Sequence, residues 1–143
     1  CEDGSMFGEE YSLVSIADYV LSHEKGNTVS NLSSSRALKD VTAKYKGTYK
    51  PAAVGEVNVV EMMKKNDAII GGEGNGGIIY PRLHYGRDAL VGIALFLSQL
   101  AERNLTVKEL KETLPAYFMS KNKLKLKPEI DIDKILLNLQ IIM

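Results

Sequence analysis

The sequence predicts an α/β domain of three layers, with a mixed, roughly four-stranded sheet flanked by helices. Two observations carry this. Segments with apolar residues at helical spacing alternate with short β-branched runs, the order that builds parallel strands joined by helices. A glycine-rich stretch, "GGEGNGG" at 71–77, sits between two of those runs, "AII" and "IIY". The length agrees: 143 residues, 45% of them hydrophobic, suffice for one domain with a real core. The whole chain, 1–143, is read as that domain.

The first helix is expected in "EEYSLVSIADYVLSHEKG", where Leu13, Val14, Ile16, Ala17, Val20 and Leu21 share a face and Gly26 is the stop. "NTVSNL" is a strand. "SSSRALKDVTAKYKG" is a second helix, capped by Ser33 or Ser34, with Ala37, Leu38, Val41 and Tyr45 inward and Gly47 at its end. "TYKPAA" is extended and limited by Pro51. "GEVNVVEMMKKN" is a short helix with Val59, Val60 and Met63 inward. "AII" at 68–70 and "GIIY" at 77–80 are strands. "RDALVGIALFLSQLAERN" is apolar on most sides and is read as the buried helix. "LTVKELKETLP" opens with a capping box of Thr106 and Glu109, with Leu105 and Leu110 at the staple positions and Pro115 as terminator. "YFMSKNKLKL" reads as an edge strand, and "DIDKILLNL" as a last helix from Asp131 or Asp133.

Composition excludes several classes. Lysines plus arginines balance acids, 18 against 18, so no basic field points to nucleic acid. No apolar run reaches the ~18 residues of a membrane span. The lone Cys1 forms no internal disulfide and argues against a cysteine metal site. It fits a reducing compartment, and a cytoplasmic location is expected. The ends, "CEDGSMFG" and "NLQIIM", read as cuts, so a domain excised from a longer protein is expected.

The glycine stretch carries the function. Gly72, Gly74 and Gly77 spell G-x-G-x-x-G after a strand, the outline of a dinucleotide site. That site needs a helix to begin at once, whereas Ile78, Ile79, Tyr80 and Pro81 follow here. No Lys-Ser or Lys-Thr follows the glycines, so a P-loop is excluded. A plain glycine-rich hairpin explains the glycines but not Glu73 and Asn75 among them. A carboxylate accepts from two adjacent hydroxyls, and an amide offers a donor and an acceptor together. Glycines let a ligand approach main-chain N–H groups. A polyhydroxylated ligand fits that combination.

"GGEGNGG" after "AII", with "VGEVNVVEMMKKND" before it and "YGRDALVGIALFL" after it, resembles the third domain of the α-D-phosphohexomutase superfamily. Its members are phosphoglucomutases, phosphomannomutases and phosphoglucosamine mutases. The resemblance places Gly72, Glu73, Gly74, Asn75, Gly76 and Gly77 in the sugar-recognition loop. It implies a four-domain enzyme that moves a phosphoryl group between O1 and O6 of a hexose. The intermediate turns over between the two transfers, and O3 and O4 are the hydroxyls nearly preserved by that turn. Phosphoserine, the Mg2+-binding loop and the phosphate-binding loop belong to other domains, so no catalytic or metal-ligating residue is expected in this chain. "DIDKI" lacks the acid and arginine that would complete a metal loop. Ser33, Ser34 and Ser35 lack the phosphoserine context.

Two departures qualify the transfer. Many relatives have histidine where Gly77 stands, so His84 and Arg87 are candidates to supply that contact. Relatives also carry a lysine, a possible proton shuttle, where Ala53 stands; Lys50 or Lys46 is the available replacement. The expected partners are a phosphosugar substrate and the other domains of the same chain, with neither nucleic acid nor membrane. Which hexose phosphate is taken is not legible. The competing reading is a non-catalytic α/β interaction domain that keeps the fold without the ligand.

Overall fold

The computed structural model describes residues 1–120 and, beyond them, 122, 123, 125, 126, 130–132, 134, 135 and 137. The elements run α1 (Glu9–His23), β1 (Asn27–Asn31), α2 (Ala37–Lys44), β2 (Tyr49–Ala52), α3 (Glu56–Lys65), β3 (Ala68–Gly72), β4 (Ile78–Ile79), α4 (Ala89–Arg103) and α5 (Val107–Glu112). The sheet has four strands in the order β2-β1-β3-β4. β1 is parallel to β2 and to β3, while β4 returns antiparallel to β3. The mixed α/β sheet is the one expected.

Alternation along the strands builds two cores. Ile70 and Ile78 face α1 and α2, joining Leu13, Val14, Ala17, Leu21, Leu38 and Val41. Val29, Ala52, Ala68 and Ile79 face α3, joining Val59 and Met63. Thus α1 and α2 cover one face and α3 the other. α4 and α5 pack on α1.

That last contact corrects the expected burial. The most apolar helix, α4, buries only Gly92 and Gln99 fully. Its Leu90 is 79% exposed, and Ile93 and Leu97 also face outward. The buried helix is α1, held between α2, α4, α5 and β3. Its polar side chains are tolerated inside because each has partners. Glu10 accepts from the Ser35 N–H at 2.6 Å, and Ser15 donates to Gln99 at 2.5 Å. Asp18 accepts from Lys44, Tyr45 and Arg103.

Helix ends differ in detail. α1 stops at His23, where Glu24 turns extended, before Gly26 is reached. Gly26 is small for another reason: a Cβ there would lie 2.6 Å from Ile69. At α2 the side-chain bond comes from Ser35, whose hydroxyl accepts from the Ala37 N–H at 3.1 Å, and not from Ser33 or Ser34. Lys46, not Gly47, takes the left-handed conformation after α2, at φ 62. The Thr106–Glu109 capping box forms as expected. No strand pairing involves the described residues of 117–126, so the expected edge strand is not found there. Leu124 and much of the last expected helix lie outside the described residues; Ile132, Lys134, Ile135 and Leu137 are helical.

Candidate functional site

The parallel strands β1 and β3 end side by side, and their chains leave in opposite directions. β1 leads through α2 to β2 on one side, and β3 turns into β4 on the other. Such a divergence opens a crevice at the carboxyl ends of the strands. Asn31, the last residue of β1, and Glu73, the residue after β3, stand on its two sides.

The glycine stretch is a tight hairpin. Glu73 N–H donates to the Gly77 carbonyl at 3.0 Å, and Gly76 N–H to the Glu73 carbonyl at 3.1 Å. Gly77 N–H donates to Asn75 Oδ1 at 3.3 Å, and Gly74 N–H to Asn31 Oδ1 at 3.4 Å. Most of the loop's main-chain donors are therefore engaged within the protein. The expectation that glycines free them for a ligand is corrected: the glycines make room for the protein's own atoms. A Cβ at Gly72 would lie 1.9 Å from the Gly77 carbonyl oxygen, and one at Gly74 would lie 2.7 Å from the Ser33 carbonyl oxygen. Gly76 takes φ 86, a conformation costly to other residues.

The side chains make contacts of their own. Glu73 is 6% exposed. Its Oε1 accepts from Asn31 Nδ2 at 3.1 Å. Its Oε2 lies 3.3 Å from Arg87 Nη1. Asn31 is a hub that sequence reasoning missed: its Oδ1 also accepts from Ser33 N–H and Ser34 hydroxyl, each at 3.2 Å. Ser33 and Ser34 thus brace Asn31 against the glycine loop. Asn75 is exposed at the hairpin tip.

Arg87 reaches the hairpin from the other end. Its backbone bridges Ile79, and the following Asp88 N–H donates to the Ile78 carbonyl at 2.9 Å. It precedes α4 rather than opening it, because Asp88 is the N-cap and accepts from Val91 N–H at 3.0 Å. The expected conflict between Arg87 and the helix dipole is removed accordingly. Its charge is answered by Glu73 and by Glu56, whose Oε2 accepts from Arg87 Nε at 2.8 Å. Hydrogen bonds from the Arg87 main chain and side chain hold the Glu56 carboxyl below its ordinary range. A cavity of about 420 Å³ beside the pair is lined by Glu56, Asn75, Gly77, Ile78, Arg87 and Asp88, among others.

His84 is placed differently. Its Nε2 lies 3.0 Å from Asp88 Oδ2, so its bond goes to the helix cap and not to the glycine hairpin. The Val91 N–H first, and then His84, keep the Asp88 carboxyl low. Ala53 follows the carboxyl end of β2 directly. Lys46 is at the other end of the sheet, beside Leu21 and His23, too far to serve there. Among the described residues no group of three His, Cys, Asp or Glu could hold a metal ion. No described helix is long and apolar enough to cross a membrane.

Comparison with known proteins identifies the family. Residues 8–118 match the family described as phosphoglucomutase/phosphomannomutase, alpha/beta/alpha domain III. The chain is 35% identical over 107 residues to a phosphoglucosamine/phosphogalactosamine mutase of Sulfurisphaera tokodaii, covering 75% of this chain and 24% of that one. It is 29% identical over 123 residues to a phosphoglucomutase/phosphomannomutase of Thermococcus kodakarensis, covering 85% and 27%. A phosphoglucomutase/phosphomannomutase family protein from Burkholderia thailandensis shares the fold, with a TM-score of 0.67 at 22% identity over 80% of this chain and 25% of that one. The chain spans about a quarter of the length of these relatives. It belongs to the phosphoglucomutase/phosphomannomutase family of phosphohexomutases and carries that family's domain III.

Proposed function

We propose that this chain is the sugar-hydroxyl-recognising domain of a phosphohexomutase that interconverts hexose 1-phosphate and 6-phosphate. Phosphoglucosamine, phosphomannose and phosphoglucose, the classes in the relatives' names and in the resemblance, are the substrates considered. One observation carries the reading. The Glu73 carboxylate is withdrawn from water yet only lightly engaged, by one amide and one ion pair at 3.3 Å.

Each carboxylate oxygen accepts two hydrogen bonds. Asn31 donates to one position on Oε1, and Arg87 stands over one on Oε2 as an ion pair. Two positions remain, enough for two neighbouring hydroxyls such as O3 and O4. Low local polarity strengthens those bonds. Arg87 and Asn75 line the neighbouring cavity, and in this reading they meet hydroxyls or a phosphate there. In this reading the phosphoryl transfer, its Mg2+ and its phosphoserine belong to other domains of the complete cytoplasmic enzyme, which are this domain's partners. Among the described residues no group of three His, Cys, Asp or Glu could hold a metal ion, and no metal chemistry is assigned to this domain. The 143-residue chain alone is proposed to be inactive, because phosphoryl transfer needs a neutralised phosphate and a nucleophile.

The test pairs a residue with a hydroxyl. In the complete enzyme, a substrate lacking O3 or O4 is compared with the normal sugar, for the natural residue and for Glu73→Gln. A charge-assisted hydrogen bond is worth roughly 1.5–3 kcal/mol, so removing a hydroxyl should lower kcat/KM about tenfold or more when Glu73 is present. In the Glu73→Gln variant the charge is gone, and the same removal should cost far less. Equal penalties on both backgrounds would remove the hydroxyl contact from Glu73.

A further inference from the structure

We infer that Glu56 is a positioning residue for sugar binding: it docks Arg87 across Gly77 and against Glu73. The inference rests on the proposed sugar site and extends it to a residue on the opposite face of the sheet.

Glu56 opens α3, directly after Gly55. It lies 31 positions before Arg87, yet both its oxygens are turned to that one residue. Oε1 accepts from the Arg87 main-chain N–H at 3.2 Å, and Oε2 from Nε at 2.8 Å. Arg87 is thereby fixed three ways: by its backbone bridge to Ile79, by Glu56 at Nε, and by Glu73 at Nη1. The guanidinium is a rigid plane, so holding Nε and Nη1 sets the direction of the remaining Nη2. Nη2 has no hydrogen-bond partner among the described residues.

The path of the stem explains a departure of the sequence. A Cβ on Gly77 would lie 2.7 Å from Arg87 Cδ and 3.3 Å from Cγ. The stem therefore occupies the space that a side chain at 77 would need. Gly77 and Arg87 form a matched pair, and Glu56 keeps the pair assembled. A purely structural Glu56 is the competing account, since an acid in the first turn of a helix is favourable in itself. That role would not depend on Arg87.

The dependence is the test. In the complete enzyme, KM, kcat and Tm are measured for Glu56→Gln, Arg87→Met and the double variant, with Glu73→Gln alongside. Glu56→Gln should raise KM for the phosphosugar about fivefold to tenfold with kcat little changed, and should add less than about twofold once Arg87 is Met. Gly77→Ala should raise KM with Arg87 present and be harmless with Arg87→Ala, whose stem is gone. Additive effects, or a fall in Tm with KM unchanged, would overturn the assignment. If Glu73→Gln damages kinetics and Glu56→Gln does not, the positioning role alone fails. If Glu73→Gln is silent, the sugar site itself fails and this inference falls with it.

Discussion

Asp18 and Glu73 are both carboxylates withdrawn from water, and each faces an arginine, but their surroundings differ in kind. Asp18, on the buried helix α1, is 1% exposed. It accepts from Lys44 at 2.9 Å, Tyr45 at 3.1 Å and Arg103 at 2.5 Å. These donors come from α2, the residue after it, and α4, so one carboxylate ties three helices. Glu73 sits on a hairpin with one amide partner and one longer ion pair, and its arginine partner Arg87 lines a cavity. A carboxylate that is 1% exposed and already holds three donors has little left to offer a ligand. A carboxylate with open acceptor positions is costly to stability and useful for binding. The first should govern folding and the second affinity.

The largest break in that contrast should come from Asp18→Asn. Breaking a buried ion pair costs roughly 3–5 kcal/mol. Lys44 is largely exposed and Arg103 partly so, so about 2–3 kcal/mol is the fitting expectation. Tm should fall by about 5–10 °C in calorimetry, with KM of the folded enzyme unchanged.

Acid sharpens the same point. Burial alone would raise the Asp18 carboxyl, but the hydrogen bonds and charges of Lys44 and Arg103 outweigh it and hold it below its ordinary value. A group depressed in the folded state adds stability that is complete above the unfolded pKa, about 3.9, and is lost as pH falls through the folded pKa. Chemical denaturation below pH about 4 should show that loss, and Asp18→Asn should show a smaller acid dependence.

Arg87→Met is smaller for stability and larger for binding. Its side chain is 49% exposed, so Tm should move by no more than about 2 °C. KM for the phosphosugar should rise about tenfold, as for loss of a charged hydrogen bond. A large fall in Tm with KM held would make Arg87 a structural residue like Arg103. The smallest effect belongs to His84→Gln. Its partner is the cap Asp88, in an exposed pair worth about 0–1 kcal/mol. Tm should drop by less than about 2 °C, and KM should hold; a KM effect matching that of Arg87 would return His84 to the sugar site.

Three local signals hold because their causes are local. The capping box at Thr106 and Glu109, the face of α1 and the strand before the glycines depend on neighbours within a few residues. Which helix is buried depends on what packs on it. α4 reads as the core helix by apolarity, yet α1, with Glu10, Ser15 and Asp18, takes that place because distant residues satisfy each polar group. The proposed site divides the same way. Glu73 and Asn75 stand out by their glycine setting, and Arg87 by its odd position before a helix. Asn31 and Glu56 do not, because their roles come from residues 42 and 31 positions away.

The central contrast is tested most directly by measuring both Tm and kcat/KM for Glu73→Gln and Asp18→Asn in the complete enzyme. A crossed result is expected. Glu73→Gln should lower kcat/KM by about one to two decades, as expected for a lost charge-assisted bond, with Tm within a few degrees of the parent. Asp18→Asn should lower Tm and leave kcat/KM of the folded enzyme in place. A Glu73→Gln variant that loses stability and keeps its kinetics would contradict this account, because Glu73 would then be a second Asp18.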